Sequence, residues 1–340
     1  MKHSQLLKTE DQIIKNWQGD VQDPKVSICC ITYNHEAYIE DALAGFLNQE
    51  TDFPFEILIH DDASTDRTSA IIREYEVRYP RLIKPIYQSS NQYSRGVKPN
   101  LTYNFPRAKG NFIALCEGDD FWVSKNKLQN QYTAMCGINS LISFHSADTM
   151  SFDYISTDTH RYLKKNYSLR DTFERGHHFI QTCTIMFSRG CLENFDESIF
   201  KEAPVGDVLL RIWCGDENGI DFVPDLKAIY RVQSSSSWSN IILNDEYKKL
   251  IFFSQLLYVI DKLLSSGKVR SLSDLRFFRS KLTMEVLSSF SFGAKNKEFT
   301  GLFKALTGYD LDTRKDRLRW VIIGLLGKII RKVASYQKTN

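Results

Sequence analysis

A chain of 340 residues with 42% apolar and 25% charged side chains holds enough core-forming material for one large domain, or a domain with an appendage, and is neither a disordered nor a collagen-like polymer. Seven cysteines, an odd number with no CxxC pair, argue against a disulfide framework or a zinc site and fit a reducing cytoplasm. The net charge of +3 conceals an acidic body: residues 314–340 carry eight basic side chains against Asp316 alone, a local +7 that leaves −4 for the rest, so general nucleic-acid binding is not expected.

The opening MKHSQLLKTEDQIIKNW is charged throughout and lacks the apolar stretch of a secretory signal, so residues 1–24 read as a lead-in segment. No run reaches the roughly 18 apolar residues of a transmembrane helix. Val26 to Ile31 is a nearly continuous apolar run, the pattern of a strand buried on both faces. After the polar Thr32–Glu36 break, apolar residues at helical spacing (Ile39, Leu43, Phe46, Leu47) predict a helix over 36–47. A second strand is expected at Phe55–Ile59, then the loop Asp61–Asp66, then a helix carrying Ile71, Ile72, Tyr75 and Tyr79 on its apolar side. Further strands are expected at 83–87 and 111–116. This alternation predicts an α/β fold with a parallel sheet and right-handed crossovers. Past Ser140 the strands become mixed, with candidates at 141–145, 179–187 and 222–232 and a helix at 205–213. From about Asn244 the pattern is helical (250–264, 272–292, 318–334), which puts a boundary near residue 240.

In open parallel sheets, ligands bind beyond the carboxyl ends of the strands. The segments there are Thr32–Glu36, Asp61–Asp66, Gln88–Lys98 and Glu117–Asp120. Glu117-Gly-Asp-Asp120 is the sharpest feature, because clustered carboxylates repel one another unless a cation neutralises them. Mg²⁺ or Mn²⁺ prefers such oxygen ligands, completed by substrate phosphates. A solvated acidic turn at the start of the next helix would also accommodate these charges. Asp61, Asp62, Ser64 and Asp66 offer acceptors for a base and sugar hydroxyls, while Asp66 is equally placed to cap the helix that begins near Arg67.

Three blocks, VSICCITYNHEAYIEDAL, EILIHDDASTDRT and AKGNFIALCEGDDFWVSKNKLQNQ, resemble in order and spacing (roughly 30 and 55 residues apart) the nucleotide-sugar half of family 2 glycosyltransferases, which adopt the GT-A fold. Similarity is strongest over 25–135 and continues faintly through QTCTIMFSR, VGDVLLRIW and AIYRVQSSSSWS. The resemblance implies a GT-A domain at 25–240, with a nucleotide-sugar half at 25–140 and an acceptor half at 141–240, followed by a C-terminal helical region at 241–340. It implies that Thr32, Tyr33, Asn34 and Glu36 line a nucleotide pocket with Asp61, Asp62, Ser64 and Asp66, and that Asp61 bonds a uracil-like base. Glu117-Gly-Asp119 occupies the family's D-x-D position with Glu replacing the first Asp. Asp119, then Asp120 and Glu117, would hold the Mn²⁺ or Mg²⁺, and Asp207 matches the general base. Without that match, Asp207 is an ordinary acid at a helix start.

The implied activity is inverting transfer of a sugar from a nucleoside-diphosphate donor, a UDP-sugar by the base reading, to a saccharide or lipid-linked acceptor in surface-polysaccharide synthesis. One departure stands out: family members often carry His after the Tyr-Arg pair, where this chain has Gln233, and Ser234–Ser237 lacks the usual glycine. Gln ligates metals poorly, so a non-catalytic sugar-binding relative is the first alternative. A nucleotidyltransferase is the second, though Thr32–Glu36 has no glycine to cradle phosphates. His177 and His178 read as structural or acceptor-facing. The tail, with Trp320 to Gly327 apolar between flanking cations, suits either an interfacial helix on the inner face of the plasma membrane or a helix packed on the body.

Overall fold

The structure is a computed structural model that describes residues 7–137, 140–151, 154–157, 162–176, 179–193, 195–232 and 245–293. Gln233, Ser234–Ser237, His177, His178, the helix expected at 318–334 and the basic tail lie outside the described residues. The chain divides into two compact units, Met1–Glu197 with Asp207–Val232, and Ser198–Gly206 with Gln233–Asn340.

The first unit is built on a ten-stranded sheet. Its strands are β1 (Val26–Thr32), β2 (Phe55–Asp61), β3 (Ile83–Tyr87), β4 (Phe112–Leu115), β5 (Phe121–Trp122), β6 (Ile142–Ser151), β7 (Tyr154–Ser156), β8 (Asn166–Tyr167), β9 (Met186–Ser188) and β10 (Ile220–Arg231). The order is β3-β2-β1-β4-β9-β6-β10-β5, with β7 on β6 and β8 on β10. β1 pairs in parallel with β2 and β4, and β2 with β3. β9 runs antiparallel to both β4 and β6, and β10 is parallel to β6. The long strands β3, β2, β1, β4, β6 and β10 therefore all point the same way. Their carboxyl ends (Tyr87, Asp61, Thr32, Leu115, Ser151 and Arg231) share one edge of the sheet, and this geometry positions the site.

The centre of the sheet is dry on both faces because its sequence is apolar on both. β2 is buried at every position and β1 at all but Ile31. Ile28, Cys30, Ile57 and Ile59 pack against Leu43 and Phe46 of α2 (Ile39–Leu47) and Ile72 of α3 (Thr68–Arg78) in one core cluster. The lead-in segment joins this unit: Glu10 of α1 (Glu10–Ile14) is buried and accepts the Arg81 N–H at 2.7 Å, and Trp17 meets Phe55 edge to face at 5.1 Å.

Two local expectations are corrected. The helix foreseen from residue 36 starts at Ile39, because the Glu36 N–H and carboxylate are engaged across the neighbouring loop. The strand foreseen at 179–187 is confined to β9, preceded by a 3-10 turn at Thr182–Thr184. There the Thr184 hydroxyl donates to the Gln181 carbonyl at 2.7 Å, a local bond that competes with sheet pairing. α4 (Phe105–Arg107), α5 (Lys127–Cys136), α6 (Leu169–Arg175) and α8 (Gly206–Cys214) complete the unit, with α7 (Glu197–Glu202) at the division.

In the second unit, α9 (Glu246–Ser266) and α10 (Leu272–Gly293) form a helical hairpin. Phe253, Leu256, Ile260 and Leu263 recur at three- and four-residue spacing, and Leu275, Phe278 and Leu282 answer them on α10; all are buried. Among the described residues no helix is long and apolar enough to cross a membrane.

Candidate functional site

Two loops at the carboxyl edge are fastened side chain to backbone. Asn34, in the left-handed region at φ 54°, donates its N–H to the Ser64 hydroxyl at 2.9 Å and accepts the Thr65 N–H on Oδ1 at 2.8 Å. The Glu36 N–H donates to Asp66 at 3.0 Å, and the Glu36 carboxylate accepts the Arg67 N–H at 2.9 Å. Asp66 also accepts the Thr68 N–H at 2.9 Å, from one residue before Arg67, the N-cap of α3, which itself makes no side-chain capping bond. These bonds commit the side chains of Asn34, Glu36, Ser64 and Asp66 to holding the two loops together. Tyr33 is exposed beside them.

Asp61 ends β2 almost fully buried, and Ser64 Oγ donates to its carboxylate. Burial pushes Asp61 above the usual carboxylate range, and the Ser64 hydroxyl opposes that. Asp62 is also buried and accepts the Gln92 and Tyr93 N–H groups at 2.8 and 2.9 Å, fixing the loop after β3. Three chain segments, 32–36, 61–66 and 88–93, thus meet around the Asp61–Asp62 pair.

The acidic loop lies directly on the end of β1. The Gly118 N–H donates to the Ile31 carbonyl at 2.9 Å, and a Cβ at Gly118 would fall 2.6 Å from Thr32 Oγ1, so only glycine allows this approach. The three carboxylates then diverge. Glu117 is raised to about 8 by burial first and by the Asp119 charge second, with Asp207 adding to it and a Thr182 hydrogen bond opposing. Asp120 turns inward, 2% exposed, and accepts the Arg231 N–H at 2.8 Å; burial and its two acidic neighbours push it well up. Asp119 keeps its carboxylate partly open, 26% exposed, with His35 Nε2 at 3.8 Å.

Asp207 stands at the start of α8, 90 residues beyond Glu117, and one turn on, the buried Arg211 lies 3.5 Å from its carboxylate. Its influence on Glu117 joins it electrostatically to the acidic loop. Among the described residues no three His, Cys, Asp or Glu side chains form a ready-made metal cage. A cation here would rely on Asp119, the open carboxylate, and on ligand oxygens. Three neighbours went unread in the sequence: His35, Thr182 and Arg231. Each lies inside a block that resembles the family, but none has a spacing signal, since its partner is 65 to 190 residues away.

Residues 27–195 match the family described as glycosyl transferase family 2. An uncharacterised protein of Mycobacterium tuberculosis is 34% identical over 214 residues, 63% of this chain and 60% of that protein. The chain thus spans about three fifths of the length of this relative. Over 124 residues, 36% of this chain and 45% of the other, it is 32% identical to an Escherichia coli beta-1,3-glucosyltransferase named for UDP-Glc and alpha-D-GlcNAc-diphosphoundecaprenol. In fold it resembles the mannosyltransferase PcManGT from Pyrobaculum calidifontis, solved with GDP-Man and Mn²⁺, at a TM-score of 0.55 and 16% identity, covering 94% of this chain and 90% of that one.

Proposed function

Through residues 27–195 the chain belongs to glycosyl transferase family 2, and from that premise we propose that it moves a sugar from a nucleoside-diphosphate donor to a hydroxyl of a saccharide or lipid-linked acceptor, with inversion. The observation that carries the reading is that Asp61, at the end of β2, and the acidic loop that follows β4 both lie at the carboxyl edge of one parallel sheet, with the Asp119 carboxylate partly open and Asp207 near enough to add to the rise of Glu117. The names of the glucosyltransferase and mannosyltransferase relatives support a nucleotide-sugar donor, and the former supports a lipid-linked acceptor.

In this reading the loops at 32–36 and 61–66 receive the nucleoside, and Asp61 accepts a hydrogen bond from the base. Asp207 takes the proton of the acceptor hydroxyl as that oxygen attacks the anomeric carbon from the face opposite the leaving diphosphate. The transition state has the oxocarbenium character of glycosyl transfer in general. The residues fit a divalent cation: Asp119 presents an open carboxylate, and the charges of Asp119 and Asp207, which add to burial in raising Glu117, favour positive charge there. Asp119 would hold Mn²⁺ or Mg²⁺, with Glu117 and Asp120 behind it, and the ion would stabilise charge on the departing diphosphate. A lipid-linked acceptor would bring the reaction to a membrane surface.

The test is a panel of UDP- and GDP-sugars with and without Mn²⁺, read by thermal stabilisation and nucleotide release. A donor that both stabilises the protein and is turned over with a matching acceptor supports the reading. If no nucleotide sugar raises the melting temperature at millimolar concentration, the reading fails.

A further inference from the structure

Arg231, the last residue of β10, has a side chain only 9% exposed, and both of its terminal guanidinium nitrogens are engaged. Its backbone N–H donates to Asp120 Oδ1 at 2.8 Å, and its Nη1 donates to the Asp119 carbonyl at 2.7 Å. Its Nη2 pairs with Asp41 on α2. The guanidinium carbon lies 4.6 Å from the centre of the Phe121 ring and 5.1 Å from that of Tyr38. One side chain therefore ties together α2, the acidic loop and the end of β10.

The division of partners defines the role. Asp41 takes the charge of the guanidinium, while Asp119 is gripped by its carbonyl and not by its carboxylate. The grip fixes the Asp119–Asp120 peptide, and with it the direction of the Asp119 Cα–Cβ bond, yet leaves that carboxylate open toward His35. Only a planar fork reaches two acceptors at once while stacking on aromatic rings; a lysine ammonium is a single point of charge.

We propose that Arg231, braced by Asp41, is a positioning residue that holds the Asp119 carboxylate in the geometry required for donor binding and transfer. The proposal rests on the glycosyltransferase reading of the acidic loop. Arg231→Lys keeps a cation for Asp41 but loses the fork, and Arg231→Met removes both. If Met at this position prevents folding, the Lys variant carries the test, with folding checked by near-ultraviolet circular dichroism.

Two readouts are needed. The first is hydrogen exchange of the amides at 119–121 in the protein without ligand, where Arg231→Lys is expected to speed exchange at least tenfold relative to wild type. The second is calorimetry of UDP and GDP with and without Mn²⁺, alongside steady-state kinetics. The expected result is a tenfold or greater loss of Mn²⁺-dependent nucleotide affinity and of kcat, with metal-free nucleotide affinity unchanged. Unchanged exchange at 119–121 overturns the proposal whether or not the wild type transfers sugar. Equal losses of metal-free and metal-dependent affinity also overturn it, since they mean general loosening of the fold. A wild type that exchanges slowly but binds no nucleotide under either condition would retire the glycosyltransferase reading and, with it, the donor-positioning role.

Discussion

At the residue scale, position and exposure separate the acids. Asp119 is the one whose loss should be felt through metal: Asp119→Ala is expected to abolish transfer and to weaken nucleotide-diphosphate binding chiefly when Mn²⁺ is present. Titration calorimetry with and without the ion checks this, and equal binding under both conditions in wild type and variant would remove the metal assignment. Asp207→Asn keeps the shape and loses the base. It should retain donor affinity while turnover falls about 10²-fold or more, the scale of a lost general base. Near-normal turnover would place the base elsewhere, with Asp216 the next acid to test. The acids of the 61–66 and 117–120 loops are legible in sequence because acids at strand ends form short contiguous motifs, whereas Asp207, at a helix start, stands out only through the family resemblance. Asp41 and Arg231 escape notice: in sequence they are one acid on a helix and one base on a strand, and only the sheet brings them together.

At the element scale, legibility follows the range of the contacts that define each element. β1, β2 and β4 can be read because their burial is written as contiguous apolar runs. β5 is two residues long and exists through its pairing with β10 more than 100 positions away, so no window of sequence contains its cause. α5 hides a second nonlocal fact. Lys127 looks like one of several solvated cations at a helix start, yet it is fully buried with its ammonium 3.8 Å from the centre of the Trp122 ring. Gln131 lies on the same helical face and donates to Ser143 at 3.1 Å, and His145 lies two residues further along β6. Burial drives Lys127 from 10.5 down to about 7 and His145 from 6.5 to about 3. Between pH 7 and 10.5 the unfolded chain holds a proton on this lysine that the folded chain has released, so stability climbs as pH rises through that window. Below about pH 7 both states are protonated and the cost of the buried charge is at its largest. Lys127→Met is expected to flatten the climb, whose limiting slope is about 1.4 kcal/mol per pH unit, and to compare best with wild type at pH 6. Urea midpoints at pH 6 and pH 9 decide it. Parallel curves for the two proteins would mean that the lysine titrates as if in water.

At the scale of the whole molecule, six parallel strands deliver loops from positions 32 to 231 to one edge, which is why residues so far apart in sequence can serve one reaction. The acidic body and basic tail give the chain a further asymmetry. The +7 of residues 314–340 surrounds the apolar segment from Trp320 to Gly327, too short to span a bilayer but suited to lie in its interface. Each basic residue near an anionic surface contributes about 1 kcal/mol, so the tail has enough charge for reversible docking. Docking would serve the proposed lipid-linked acceptor by holding the donor site close to the plane of its substrate. Full-length protein is therefore expected to cosediment with vesicles containing phosphatidylglycerol at low salt, and to be released by 0.5 M NaCl or by deletion of residues 314–340. The deletion should leave turnover of a water-soluble acceptor unchanged while slowing transfer to a vesicle-embedded one at least tenfold. Binding that is absent at low salt, or that survives the deletion, would assign the tail to packing on the protein itself, and its cations to solvent.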